Sequence, residues 1–333
     1  MQKEIKASII IPTYNRQEEL KELLISLEGQ TYPREEFEII IIDDGSTDGT
    51  KDAVARYIAD HKDCAILYHR QENAGPAAAR NKGIQMSRGK LLLFTDTDCV
   101  APPEWIEKIT EPLWNNHDVG ITGGPDTVSK DAPFLIRCIN YLMTSFFTTG
   151  GIRGGKLRLT EFSPRSFNMA VKKEVFDKTG KFLYQKYAED TLLSEKTKKA
   201  GYRSLYCHEA FVYHFRRDRI MSFLKQVHGM AKGTAIASKS EKGVVKFLNF
   251  IPPLALMIIP LAIILLSLFF NNFIVLKIYI FIGLIYLALI SISCIVEQKS
   301  LAMALCIPFL FLVQQIAYAI GFLSGLLKTK VRG

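Results

Sequence analysis

Three short acidic segments have the residue types that metal or acid–base chemistry requires: Asp96-Thr-Asp98, Asp43-Asp44 and Glu189-Asp190. On a strand, alternate residues point to the same side, so Asp96 and Asp98 can lie side by side. Two neighbouring carboxylates repel each other unless a cation lies between them. Mg²⁺ and Mn²⁺ bind carboxylate together with phosphate oxygens. The Asp96–Asp98 spacing is also common in simple turns, so the combination of three acidic segments is what favours a divalent-cation site.

Four apolar runs predict the strands that position these acids: Ala7–Pro12, Phe37–Asp43, Ala65–Tyr68 and Lys90–Thr95. The segments between them have apolar residues at helical spacing, as in Glu18–Gln30. Alternating helices and continuously apolar strands predict an α/β fold with a mostly parallel sheet covered on both faces. Ligands of such sheets bind beyond the carboxyl ends of the strands. We therefore expect the polar residues that follow the strands to line one crevice.

Several other sites are disfavoured by the motifs that the sequence contains or lacks. No Gly-x-Gly-x-x-Gly follows the first strand, and neither Gly-x-Ser-x-Gly nor His-Glu-x-x-His occurs. The run Gly150–Lys156 imitates a phosphate-binding loop, but Leu157 replaces the required Ser or Thr. A dinucleotide site, a serine hydrolase, a zinc protease and a P-loop enzyme are therefore not expected, and 150–156 is predicted to be a glycine loop.

The order of four motifs resembles family 2 glycosyltransferases of GT-A fold. These motifs are Ser8-Ile-Ile-Ile-Pro-Thr-Tyr-Asn15, Ile40-Ile-Ile-Asp-Asp-Gly-Ser-Thr-Asp48, Phe94-Thr-Asp-Thr-Asp98 and Ala188-Glu-Asp-Thr191, the last followed by Lys199-Ala-Gly-Tyr202. They extend over nearly the whole charged part of the chain. The apolar segment Gln315–Leu327 is similar to the C-termini of membrane-attached members.

The resemblance implies roles for particular residues at the donor side of the site. Asp44 corresponds to the acid that reads the nucleotide base, and the same pocket would be lined by Pro12, Thr13 and Asn15. Asp96 would contact the ribose or the water shell of the ion. Arg80 corresponds to a position near the nucleotide, where a guanidinium suits diphosphate or a neighbouring carboxylate, although a helix-surface role is also open.

The resemblance also implies the metal ligands and the base. Asp98 would bind Mg²⁺ or Mn²⁺ directly, and His214 stands where many GT-A enzymes have a further ligand, with a plain strand-end histidine as the alternative. The ion would neutralise the diphosphate leaving group. Asp190 would deprotonate the acceptor hydroxyl. A single displacement with no enzyme nucleophile implies inversion at the sugar.

Two departures from the family pattern bear on specificity. Arg165-Ser166 stands where the family often has glycine beside the donor sugar, so the resemblance does not give the donor. Processive synthases carry Gln-x-x-Arg-Trp after the base, but both tryptophans here, Trp105 and Trp114, precede Glu189. The sequence therefore favours transfer of one sugar, with a repeat-unit enzyme that uses other contacts still open.

The distribution of charge predicts a membrane-attached protein. The net charge of the 333 residues is +9, yet Phe247–Leu276, Ile278–Val296 and Ser300–Leu327 contain no Asp, Glu, Lys or Arg. Each run is long enough for one membrane-spanning helix. Residues 215–246 carry eight basic and two acidic groups, which favours contact with anionic lipid over nucleic acid. Pro252, Pro253 and Pro260 are expected to disturb the first run.

These patterns predict a GT-A domain over 1–214, a basic interfacial segment over 215–246, a membrane domain of two to three helices over 247–327 and a basic tail over 328–333. The N-terminus shows no apolar signal-peptide region. Six cysteines without Cys-x-x-Cys spacing indicate reduced thiols. The catalytic domain is expected on the cytoplasmic face of an inner membrane, although three crossings would put Lys328, Lys330 and Arg332 outside, against the positive-inside tendency.

The predicted function is inverting, metal-dependent transfer of one sugar from a nucleotide diphosphate-sugar to a glycan or lipid-linked acceptor, as in cell-surface polysaccharide synthesis. A polyprenyl-phosphate glycosyl synthase is the first alternative, and an inactive sugar-binding or scaffold protein is the second. A nucleotidyltransferase is disfavoured because Pro12-Thr-Tyr-Asn15 is not a Gly- and Lys-rich triphosphate loop.

Overall fold

The computed structural model of the chain describes residues 4–62, 64–151, 162–183 and 188–328. These residues divide into two compact units, one from Met1–Ser129 and Thr160–Phe215 and the other from Lys130–Leu159 and Arg216–Gly333. The predicted GT-A domain over 1–214 includes the stretch 130–159, which the contacts instead assign to the second unit. Residues 152–156 of the predicted glycine loop and 329–333 of the predicted tail lie outside the described residues.

The first unit is built on a seven-stranded sheet of order β3-β2-β1-β4-β8-β6-β9, and a second, three-stranded sheet has the order β5-β10-β7. Within the larger sheet every pair is parallel except the two made by β8. The strands are β1 (Ala7–Thr13), β2 (Phe37–Asp43), β3 (Ala65–Arg70), β4 (Leu91–Thr95), β5 (Cys99–Val100), β6 (Val119–Gly123), β7 (Asp126–Thr127), β8 (Asn168–Lys172), β9 (Arg203–Tyr206) and β10 (Val212–His214). The predicted mostly parallel α/β fold is confirmed.

Helices cover both faces of the larger sheet. Along β1, Ile9 and Ile11 pack with α1, whereas Ile10 points to the opposite face and packs with α3. Because both faces are covered, the strand is apolar at consecutive positions. The helices of this unit are α1 (Gln17–Glu28), α2 (Thr50–Asp60), α3 (Pro76–Met86), α4 (Trp105–Asn115), α7 (Lys173–Thr179) and α8 (Glu189–Lys199).

The second unit contains α5 (Phe134–Thr144), α6 (Phe146–Thr149), α9 (Ile220–Ala237) and three apolar helices. The apolar helices are Phe247–Phe269, Ile274–Gln298 and Leu301–Leu327, and each is long and apolar enough to cross a membrane. The first contains a π-helical stretch at Leu254–Ile258, between its prolines. Proline removes a backbone donor and disrupts the regular α-helical hydrogen bonds. The π-helical stretch departs from those bonds, so the expected disturbance of this run is confirmed.

Helix α9 packs closely on the third apolar helix through Gly321 and Gly325. A Cβ at Gly325 would lie 2.6 Å from the carbonyl oxygen of Lys232, and a Cβ at Gly321 would collide with the carbonyl oxygen of His228. The Gly-x-x-x-Gly pair therefore permits direct backbone approach between these helices.

We expect Gly321→Ala to destabilise the detergent-solubilised chain by about 2 kcal/mol, the usual cost of forcing a methyl group into a packed contact. Thermal unfolding measures the effect. Gly283→Ala is the matched control, because a Cβ at Gly283 has nothing within 4 Å. Equal stability of the two variants would contradict the proposed close packing.

Candidate active site

The loops that follow β1 and β2 are joined by hydrogen bonds at the carboxyl end of the sheet. Asn15 donates its backbone N–H to Ser46 Oγ at 2.9 Å, and its side-chain oxygen accepts from the Thr47 N–H at 2.7 Å. Within the sheet, Pro12 pairs with Ile42 and Thr13 with Asp43. The structure thus places Pro12, Thr13 and Asn15 beside the acidic segment at the end of β2.

The two acids at the end of β2 have different surroundings. Asp43 is fully buried and accepts hydrogen bonds from the Ser46 N–H at 2.7 Å and the Tyr68 hydroxyl at 2.6 Å. These bonds fix the turn, which gives Asp43 a structural role. Asp44 instead accepts three hydrogen bonds from the segment 71–75, which leads into α3.

Arg80 connects the metal-motif strand to the segment that carries the predicted base. Its side chain is 3% exposed, with Nη2 2.7 Å from Asp96 Oδ1 and Nη1 3.0 Å from Glu189 Oε1. The guanidinium therefore compensates two carboxylates from different elements. This bridge brings the end of β4 together with the first turn of α8, so Asp96 and Glu189-Asp190 lie on the same side of the sheet. The helix-surface role considered for Arg80 is excluded by its burial.

Asp98 and His214 lie close together and belong to a group of side chains that could hold a metal ion. His214 Nε2 lies 3.3 Å from Asp98 Oδ1, on adjacent strand ends of the smaller sheet. The Cys99 sulfur completes a group of three ligand atoms within 4.8 Å of one another. Burial, together with the nearby Asp98, raises the pKa of the Cys99 thiol. Carboxylate oxygen and imidazole nitrogen are thus the better donors here, and they fit Mn²⁺ or Mg²⁺.

Asp126 orients His214, which sequence reasoning did not anticipate. Its Oδ2 lies 3.5 Å from His214 Nδ1, on the opposite side of the ring from Asp98. A proton on Nδ1 shared with Asp126 would put the lone pair of the ring on Nε2, the nitrogen that faces Asp98. Asp126 itself is buried at the start of β7.

Replacing Asp126 by asparagine is expected to weaken Mn²⁺ binding about tenfold, because the orienting carboxylate of a metal-bound histidine is lost. The electron paramagnetic resonance signal of free Mn²⁺, titrated with the full chain, measures this without any turnover. Asp118→Asn serves as the control, since Asp118 pairs with Arg203 at the exposed surface. Unchanged Mn²⁺ affinity in the Asp126 variant would contradict the orienting role.

Asp190 lies in the first turn of α8 and is 8% exposed. Its Oδ1 accepts the Thr191 N–H at 2.7 Å, and Arg165 Nη1 lies 3.5 Å from its Oδ2. Ala188, the residue just before α8, has a φ of 70°, a backbone conformation that residues other than glycine rarely adopt. Strain of this kind persists only where surrounding contacts hold it, and it directs the first turn of the helix into the site.

The carboxyl group of Glu189 has a strongly raised pKa. Burial, followed by the neighbouring charge of Asp190, raises the pKa of Glu189 from 4.5 to about 7, although the Arg80 guanidinium opposes the shift. Asp96 adds a further repulsive charge. A proton is therefore bound more tightly by the folded chain than by the unfolded chain.

We expect the free energy of unfolding to fall as the pH rises from about 4.5 to about 7 because of this group. Below pH 4.5 Glu189 is protonated in both the folded and the unfolded chain. Above pH 7 it is ionised in both, and burial of its charge lowers the free energy of unfolding. Glu189→Gln should therefore be more stable than the wild type at pH 8 and lose this advantage towards pH 5. Denaturant unfolding across this pH range checks the expectation, and parallel curves for the two proteins would contradict it.

Residues 8–180, more than half of the chain, match the family described as Glycosyl transferase family 2. The chain belongs to glycosyl transferase family 2. The family resemblance predicted from the four motifs is confirmed.

Named relatives of this glycosyltransferase match part of its length. It is 36% identical to glycosyltransferase AglE of Haloferax volcanii over 117 residues, which are 35% of this chain and 38% of AglE. It is 40% identical to a validoxylamine A glucosyltransferase of Streptomyces hygroscopicus over 104 residues, 31% of this chain and 22% of that protein. The matched segments thus span well under half of these relatives.

Solved structures share the fold of this glycosyltransferase over nearly its whole length. The mannosyltransferase PcManGT from Pyrobaculum calidifontis, in complex with GDP-Man and Mn²⁺, has a TM-score of 0.61 at 18% identity, covering 97% of this chain and 87% of its own. TarS 1-349 of S. aureus in complex with UDP-GlcNAc has a TM-score of 0.52 at 18% identity, covering 96% and 91%. These likenesses establish the GT-A fold.

Proposed function

We propose that this glycosyltransferase moves one sugar, with inversion, from a nucleotide diphosphate-sugar to an acceptor, with the help of a divalent cation. The bridge from Asp96 through Arg80 to Glu189 is the observation that carries this proposal. Arg80 joins the end of β4, which carries the proposed cation-binding acids, to the first turn of α8, which carries the proposed base. The two groups of residues therefore lie close together. Transfer requires both donor and acceptor groups at a single centre.

The proposed donor site lies at the ends of β1, β2 and β4. Asp44 reads the nucleotide base in a pocket shared with Pro12, Thr13 and Asn15. Asp96 contacts the ribose or the water shell of the ion, and Arg80 fixes its carboxylate. Asp98 and His214 hold Mg²⁺ or Mn²⁺, and the bound ion supplies charge neutralisation for the diphosphate.

Asp190 acts as the base in the proposed reaction. Its carboxylate takes the proton from the acceptor hydroxyl as the acceptor oxygen attacks the anomeric carbon. The bond between that carbon and the diphosphate oxygen breaks in the same step, and the electron pair leaves with the diphosphate. Attack opposite the leaving group inverts the configuration.

The proposed acceptor is a lipid-linked glycan used in cell-surface polysaccharide synthesis. Three helices able to cross a membrane support an acceptor presented at a lipid surface. The basic residues of 215–246 favour the cytoplasmic face of an inner membrane, where anionic lipid attracts them.

A polyprenyl-phosphate glycosyl synthase is a second candidate, favoured by Arg165. Its guanidinium lies 3.5 Å from Asp190 Oδ2, close to where an acceptor would be deprotonated. A guanidinium there would attract an acceptor phosphate, which needs little help from a base. The two candidates therefore differ in how much they depend on Asp190.

Turnover by the purified full chain in detergent tests the proposal. Release of nucleoside diphosphate from UDP-, GDP-, dTDP- and CDP-sugars is measured with Mn²⁺, with EDTA, and with polyprenyl-linked glycan or polyprenyl phosphate added. We expect acceptor-stimulated release that EDTA abolishes. No release with any donor and acceptor would instead support an inactive sugar-binding or scaffold protein.

A further inference from the structure

The side chain of Asp44 has one acceptor position left for a nucleotide base. Its Oδ1 accepts from Gln71 Nε2 at 2.7 Å and from the Ala74 N–H at 2.9 Å, and its Oδ2 accepts from the Gly75 N–H at 2.7 Å. A carboxylate oxygen offers two acceptor positions. Oδ1 is therefore saturated by the described residues, and Oδ2 retains a single position.

The local backbone fixes this arrangement. Gly75 has a φ of 91°, which a residue with a side chain rarely adopts, and it stands at the start of α3. This conformation lets two successive backbone N–H groups reach the same carboxylate. Asp44 is 4% exposed, so water does not compete strongly for its oxygens.

Nucleotide bases differ in the number of donors that they present to such an acid. Uracil and thymine have one imide N–H between two carbonyl groups, so one acceptor position satisfies the donor. Guanine has an N–H next to an amino group, and pairing both with a carboxylate requires a free position on each oxygen. Cytosine has an amino group and no N–H on the ring.

We propose that Asp44, with Oδ1 occupied by Gln71, selects a uracil-type base over guanine, so that the donor is a uridine or thymidine diphosphate-sugar. The inference rests on the proposed function, since it takes Asp44 as the base-reading acid. Gln71 has two amide hydrogens and gives one to Asp44, so the other can donate to a carbonyl of the base. Gln71 is thus a specificity-determining residue.

A cavity next to Gln71 offers space for a base. This cavity of about 470 Å³ is lined by Gly45, Arg70, Gln71, Glu72 and Asn73. The Arg70 side chain, held by a 2.9 Å bond from Nη2 to the Ser46 carbonyl oxygen, offers a planar group on which a base can stack.

Calorimetric binding of UDP, dTDP, GDP and CDP to the full chain in detergent with Mn²⁺ tests the inference. We expect UDP or dTDP to bind at least about tenfold more tightly than GDP, the factor that one unpaired buried donor produces. Gln71→Ala frees an acceptor position on Asp44 Oδ1. UDP should then bind more weakly and GDP more tightly, so the ratio of their affinities should fall towards one. Gln85→Ala, the same substitution at an exposed position on α3 outside the cavity, should leave the ratio unchanged.

The possible binding results distinguish a wrong base assignment from a wrong proposed function. Binding of all four nucleotides with GDP or CDP tightest would overturn the base assignment while leaving the proposed transferase intact. No binding of any of them would instead overturn the proposed function. A UDP preference that Gln71→Ala does not reduce would remove Gln71 from the explanation and so contradict the inference as stated.

Discussion

Replacing Asp190 by asparagine is expected to reduce kcat about a thousandfold, because the acceptor hydroxyl loses its base. Asparagine keeps the size of the side chain and its contact with the Thr191 N–H, so donor binding should persist. Steady-state release of nucleoside diphosphate and calorimetric binding of the same nucleotide separate the two effects.

Asp177→Asn is the matched control for this substitution. Asp177 lies exposed on α7, outside the site, and its replacement removes the same charge. Full activity is expected there. If Asp190→Asn retained most of the wild-type activity with polyprenyl phosphate as acceptor, the phosphate-acceptor candidate would replace the hydroxyl acceptor.

Replacing Arg80 by methionine is expected to destabilise the first unit by about 3 kcal/mol and to abolish transfer. The substitution leaves the buried Glu189 carboxylate without its cation, which is costly in a desolvated site. Asp96 is 31% exposed and contributes less to this cost. Denaturant unfolding followed through Trp105, buried in the same unit, measures the change.

Two further variants distinguish charge compensation from simple packing. Lysine at position 80 retains the charge but cannot bond two carboxylates with a planar fork, so we expect partial stability and little activity. Adding Glu189→Gln to Arg80→Met removes the uncompensated acid and should recover part of the lost stability. If Arg80→Met/Glu189→Gln were no more stable than Arg80→Met, the loss of stability would come from altered packing and not from the uncompensated charge of Glu189.

The main sheet and its acidic ends could be predicted from sequence because burial on both faces leaves a strong local signal. Runs such as Ile39–Ile42 are apolar at every position, which is typical of a parallel strand that is buried on both faces of its sheet. The acids that follow them were then assigned to one edge of the sheet by topology alone.

The sequence indicated a carboxylate as a partner for Arg80, but it did not show which acids Arg80 and His214 contact, since these lie in distant parts of the chain. Arg80 and Glu189 are 109 positions apart, and His214 and Asp126 are 88 apart. Strands β5 and β7 have two residues each, too few for any periodicity. Glu189 lies within a motif, but no motif includes Asp126, and its contact with His214 depends on strand pairing that no local pattern reveals.

The small sheet β5-β10-β7 carries His214 and would therefore control the exchange of a cation held by Asp98 and His214. Its strands have two or three residues, against seven in β1, so few backbone bonds protect it. Segments held by few bonds open at much lower free energy than the whole domain. Deuterium should therefore enter the backbone amides around His214 well before those of β1. Such brief openings would release and reload the ion while the larger sheet stays closed.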